Sequence, residues 1–104
     1  PLFFDIIEKV KKRAEEWNGK IYFVYMPEAK RYDNQLNRHL LKDKFRNKDM
    51  ILKKLEQMNV TIIDVDNDIF DKNENPLSYF NKKRVHYNKI GYELIANYLI
   101  ERIQ

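Results

Sequence analysis

Cysteine is absent from these 104 residues, so neither a disulfide framework nor a thiolate metal site can be built from them. Glycine occurs twice (Gly19, Gly91), serine once (Ser78) and threonine once (Thr61). That scarcity bears directly on function. Nucleophilic catalysis needs a serine, cysteine or threonine beside a base, and oxyanion holes are commonly assembled from glycine-rich backbone. No run of about 18 apolar residues occurs, so no segment reads as a membrane-spanning helix. The opening Pro-Leu-Phe-Phe is shorter than the apolar stretch of about 7–15 residues that a signal peptide needs. Position 1 is proline rather than methionine. We therefore expect the chain to begin inside a longer gene product or to follow processing.

What is present points to one small folded domain spanning residues 1–104. Aromatic residues make up 13% of the chain, which argues against disorder, because disordered chains are poor in large apolar groups. Twenty basic and 16 acidic side chains give a net charge of +4. The two signs are interspersed, whereas nucleic-acid binders more often gather a segregated basic face. The run Lys42, Lys44, Arg46, Lys48, Lys53 and Lys54 is interrupted by Asp43, Asp49 and Glu56, so a solvated helix face is the better reading of it.

Periodicity gives the element order. Phe3, Ile7, Val10, Ala14 and Trp17 recur at helical spacing over residues 2–17, and Asn18-Gly19 supplies the stop. Residues 20–26 (Lys-Ile-Tyr-Phe-Val-Tyr-Met) form a strand that is apolar on both faces and ends at Pro27, the pattern of a parallel strand covered on two sides. Residues 28–42 read as a long loop or irregular excursion. A second helix is expected over 43–58, with Asp43 as its cap and Phe45, Ile51, Leu52, Leu55 and Met58 as its apolar stripe. Residues 60–65 (Val-Thr-Ile-Ile-Asp-Val) make a second strand. Asp66–Asp71 form a short turn or helix carrying Ile69 and Phe70 inward, and Asn73–Pro76 a loop. The last helix runs from about Lys89 to Ile103, capped by Asn88, with Ile90, Leu94, Ile95, Tyr98, Leu99 and Ile103 on its apolar face. This rhythm predicts an α/β protein: a three-layer α/β/α fragment of about two parallel strands and three to four helices. Strands apolar on both faces with so few neighbours imply further strands beside them, or self-association through the unpaired edges.

His86 is the leading candidate for chemistry. It lies just before a helix, and histidine serves as a general base because it titrates near neutrality. His39 sits in the basic excursion and reads as solvated. Ser78, in Asn-Pro-Leu-Ser-Tyr-Phe, lacks the nucleophile-elbow pattern and reads as a turn or cap serine. Asp64, Asp66, Asp68 and Asp71 cluster after the second strand, but no turn glycine follows them, so they read as strand-end polar residues and a helix cap rather than a metal loop. Neither a metal nor a cofactor is expected.

The block His86-Tyr87-Asn88-x-x-Gly91-Tyr92-x-x-Ile95-Ala96-x-Tyr98-Leu99 resembles the last block of the SGNH/GDSL hydrolases. The strand 21–26 followed by Pro27-Glu28, and the strand 61–65 followed by Asp66, are similar to that family's last two strands. The resemblance implies a flavodoxin-like fold of which this chain is the C-terminal segment, with ester or acyl hydrolysis as the activity. His86 is then the catalytic histidine, Asn88, Glu28 and Asp66 are candidate substrate contacts, and a small ester or acyl compound is the substrate. Two departures stand out: no Gly-Asp-Ser tripeptide occurs, and Lys83 occupies the place where the family carries an aspartate three residues before the histidine. The isolated chain is accordingly expected to be inactive. The alternatives are a non-catalytic α/β interaction module and, with less in its favour, a basic nucleic-acid-binding domain.

Overall fold

A computed structural model describes residues 2–32 and 47–103. The expected cap at Asp43, the stripe residue Phe45, the histidine His39 and most of the predicted excursion fall outside those residues. Among the described residues there are three α-helices: α1 (Leu2–Glu16), α2 (Asn47–Gln57) and α3 (Lys89–Ile103). Two strands, β1 (Tyr22–Tyr25) and β2 (Thr61–Asp64), pair in parallel with Tyr22 opposite Thr61 and Tyr25 opposite Asp64. The molecule is mixed α/β and mostly helical. No helix among the described residues is long and apolar enough to cross a membrane.

Helix ends are set as the sequence suggested, with one refinement. Asparagine rather than glycine takes the left-handed conformation, at Asn18 after α1 (φ 57°) and again at Asn59 after α2 (φ 62°). Each residue that follows then closes the helix, with Gly19 N–H donating to Ala14 O at 2.7 Å and Val60 N–H to Leu55 O at 3.0 Å.

The pleat divides the sheet residues between two unlike faces. On the first face Tyr22 and Val24 pack with Ile63 and Val65 against α3 and an aromatic cluster. Phe70 sits at the centre of that cluster with no exposed surface, ringed by Tyr32, Tyr79, Phe80 and Tyr87 at centroid distances of 5.6–6.0 Å. It arrives there on a five-residue π-helical turn, Asp66–Phe70. On the second face, Phe23 meets Phe3 of α1 edge-to-face at 6.1 Å. Tyr25 lies under the ammonium of Lys48, at the start of α2. Lys54 of α2 lies over Phe4, and Lys11 of α1 donates to Met58 O at 2.7 Å, so α1 and α2 run side by side. The layers are thus α1 and α2, the two strands, and α3.

The second face is the open one. No residue of α1 is buried, and Leu2, Ile6, Val10 and Trp17 keep 47–74% of their surface exposed. Stability should follow this asymmetry. Phe70→Ala is expected to cost about 3–5 kcal/mol in urea unfolding, whereas Ile6→Ala should cost less than about 0.5 kcal/mol. Comparable losses for both would show that the core is not one-sided.

Candidate functional site at the carboxyl edge of the sheet

His86 hangs from a hairpin-like loop whose stem is the bridge between Phe80 and Tyr87. Asn81 organises the tip of the loop. Its N–H donates to His86 O at 2.8 Å, its carbonyl accepts from Arg84 N–H at 2.9 Å, and its side-chain oxygen accepts from Val85 N–H at 3.1 Å. Arg84 takes the left-handed conformation (φ 56°), which a non-glycine side chain seldom adopts.

Asn88 and Gly91 fix the base of the loop. Asn88 Oδ1 accepts from Gly91 N–H at 2.8 Å, which caps α3, while Asn88 Nδ2 donates to Ser78 O and Phe80 O at 2.7 and 3.2 Å. Gly91 is buried against the short 3₁₀ helix Pro76–Tyr79; a Cβ there would stand 2.2 Å from Tyr79 O. The same carbonyl accepts the Asn88 N–H at 2.9 Å. Helix α3 therefore docks at its first turn only because residue 91 has no side chain.

A hydrogen bond adds to the aromatic packing of Phe80 and Tyr87 in placing this loop relative to the sheet. The Tyr87 hydroxyl donates to Pro27 O, two residues beyond the end of β1. Burial pushes the Tyr87 phenol well above the usual tyrosine range, and the neighbouring Tyr92, Tyr25 and Asp66 add to the shift. His86 thus stands exposed near the carboxyl edge of a parallel sheet, the edge at which α/β proteins bind ligands.

A second group of charges occupies that edge. Asp66 is 4% exposed, and its carboxylate accepts from the Tyr32 hydroxyl and from Lys48 Nζ at 2.9 Å, with Arg31 at 3.5 Å. Lys48 also reaches Asp64 at 2.8 Å, with only 9% of its side chain exposed. Burial pulls the Lys48 ammonium down, but the two carboxylates outweigh it and hold its pKa above the ordinary lysine value. Burial, then the hydrogen bond to Asp66, raises the Tyr32 phenol far out of its usual range. Asp68 turns away to Tyr98 and Arg102, whereas Asp64 and Asp66 share Lys48. Among the described residues no group of acids or histidines could hold a metal ion.

Asn88, read as the cap of α3 and as a candidate substrate contact, caps α3 and closes the loop. Asp66, another candidate and read as a strand-end polar residue or helix cap, is buried and surrounded by Tyr32, Lys48 and Arg31. Neither Asp66 nor Asp64 takes the place of the acid missing at Lys83; no side chain among the described residues hydrogen-bonds the His86 ring. Glu28 is exposed beside Pro27 at the same edge. Ser78 donates to Asn75 O at 2.7 Å as a turn serine. Lys48, assigned to a solvated face, is instead nearly buried. The signal was there: Lys48 lies three, four and seven residues before Ile51, Leu52 and Leu55, on the apolar stripe. Tyr32, Arg31 and Tyr87 carried no comparable signal. Comparison with family models, curated proteins and solved structures finds no match for the chain.

Two outcomes follow from this geometry. Gly91→Ala should destabilise the protein by about 2–3 kcal/mol in urea, since carbonyl backbone cannot yield as a flexible side chain can. Stability should also fall as pH rises above about 10. Tyr32, Tyr87 and Lys48 all have folded-state pKa values above their unfolded ones. The unfolded chain therefore gives up protons first, and unfolding becomes favoured with each further rise in pH. Equilibrium urea curves between pH 8 and 11 would show this, and a flat profile would contradict it.

Proposed function

We propose that this chain is the C-terminal part of an SGNH-like ester or acyl hydrolase and that His86 is its catalytic histidine. One observation carries the reading: the His86 loop is clamped by Asn81, Asn88 and the side-chain-free Gly91, and is tied through Tyr87 to the carboxyl end of β1. That is the placement a general base requires in an open α/β sheet. The layering supports it as well. Helices α1 and α2 cover one face while α3 crosses to the other, as in a flavodoxin-like arrangement with further strands beside β1.

In the proposed reaction a serine attacks the acyl carbonyl, His86 accepts its proton, and backbone N–H groups hold the oxyanion. Within residues 1–104 the one serine is Ser78, whose hydroxyl is engaged with Asn75 O. The nucleophile therefore belongs to residues outside this stretch. A non-catalytic interaction module is the second reading, and it is favoured by the exposed apolar stripe of α1 and by Lys83.

The encoding gene decides between them. An upstream Gly-Asp-Ser tripeptide in the same reading frame supports the hydrolase, and its absence removes it. In a gene product carrying that tripeptide, His86→Ala should lower kcat for p-nitrophenyl acetate by about 10²–10⁴-fold. Stability should stay within about 0.5 kcal/mol, because His86 is exposed. The 104-residue chain alone should show no turnover above the blank. Turnover by that chain, lost in His86→Ala, would overturn the assignment of the nucleophile to residues elsewhere.

A further inference from the structure

Charge is unevenly distributed along the chain. Residues 75–92 contain Lys82, Lys83, Arg84 and Lys89 and no aspartate or glutamate, so the whole net charge of +4 resides there and the other residues balance. The same stretch is the His86 loop with its mounting: the 3₁₀ helix Pro76–Tyr79, the stem at Phe80 and Tyr87, and the first turn of α3. Lys82, Lys83 and Arg84 belong to the loop, Lys89 opens α3, and all four are exposed. Asn88 joins loop to helix through Phe80 O and Gly91 N–H. The acids Asp66 and Glu28 approach this unit at Tyr87, in the stem. Asp66 is already engaged by Lys48.

Exposed apolar side chains are interleaved with these cations. Val85, next to Arg84, is 68% exposed, and Ile90, next to Lys89, is 63% exposed. Tyr92 is also exposed, and its ring meets Tyr87 edge-to-face at 5.5 Å. Asn81 and Asn88 already hold the loop, so a partner does not have to order it. This combination selects among anionic partners. Nucleic acid draws on cations and on stacking aromatic rings, and Val85 and Ile90 would gain nothing from it. Lysine, which supplies three of the four cations, is depleted at protein–protein interfaces. At an anionic bilayer both residue types are used: cations meet the headgroup phosphates, and aliphatic side chains reach the acyl boundary.

We propose that the His86 loop and the first turn of α3 dock on the surface of an anionic phospholipid bilayer. Lys82, Lys83, Arg84 and Lys89 lie at the headgroups, and Val85 and Ile90 dip below them. This docking is peripheral and independent of the hydrolase reading. The test is flotation of the 104-residue chain with phosphatidylcholine vesicles, with and without about one-third phosphatidylglycerol. The anionic vesicles should carry the chain and the neutral ones should not. Lys82→Gln/Lys83→Gln should weaken binding about 20-fold, whereas Lys82→Arg/Lys83→Arg should preserve it. Val85→Ser/Ile90→Ser should weaken it about tenfold. His86→Ala should bind as the unaltered chain does. Urea unfolding of each variant checks that the fold is kept. No binding to the anionic vesicles, equal binding to neutral ones, or binding untouched by either weakening pair of substitutions in folded protein would overturn the proposal. Tighter binding of a single-stranded or duplex oligonucleotide, lost in Lys82→Gln/Lys83→Gln, would overturn it in favour of nucleic acid.

Discussion

Three separate stretches of chain meet at the Asp66 carboxylate. It follows β2 by two residues, receives Tyr32 and Arg31 from the short helix after β1, and receives Lys48 from the first turn of α2. A nearly buried carboxylate is tolerable only with such partners, because removing one member of a buried ion pair costs about 3–5 kcal/mol. The reward is positional. Within the connection from β1 to β2, Asp66 holds Tyr32 and Lys48 at the same point. Just beyond it, the π-helical turn carries Phe70 into the aromatic cluster. Asp66 therefore sets the carboxyl edge on one side while Phe70 seals the first face below it.

The His86 loop is organised by a different principle. Its order comes from backbone and amide groups. Asn81 holds the tip, Asn88 joins the loop to α3, and Gly91 permits contact with Tyr79 O. This division explains what was legible in the sequence. Asn88 announced a capped helix, and that expectation holds. The bounds of α3, the parallel strands and the inward Phe70 were also readable, since each rests on local periodicity or β-branched content. Asp66 was misread because its partners lie 18 and 34 residues away and no local pattern encodes such pairs. Tyr87 was missed for the same reason: its partner, Pro27, is 60 residues distant.

The two faces of the sheet show how local and long-range order combine. The first face is closed by side chains from residues 29–32, the π-helical turn, residues 77–87 and α3, and its central residues have no exposure. The second face is covered by α1 and α2, and α1 contributes no buried residue. Leu2, Ile6 and Val10 of α1, and Trp17 just beyond it, stay exposed. A helix of a complete α/β domain covers more than one strand. An amphipathic pattern alone cannot reveal this, because periodicity reports that a face is apolar and not what lies against it.

Lys83 poses the sharpest question for the proposed chemistry. An acid beside a catalytic histidine performs two tasks: it orients the imidazole, and it stabilises the imidazolium as it forms. Here the first task is partly met by other means. The backbone on both sides of His86 is held, through His86 O and Val85 N–H to Asn81 and through Tyr87 to Pro27. The second task has no provider among the described residues, and Lys82, Lys83 and Arg84 place positive charge in the adjoining sequence. A base positioned by backbone but not stabilised in its protonated form retains reach and loses transition-state stabilisation. In the hydrolase we propose, introducing the acid by Lys83→Asp should therefore raise kcat while leaving KM nearly unchanged. A rise confined to 1/KM would show that residue 83 acts on substrate binding instead.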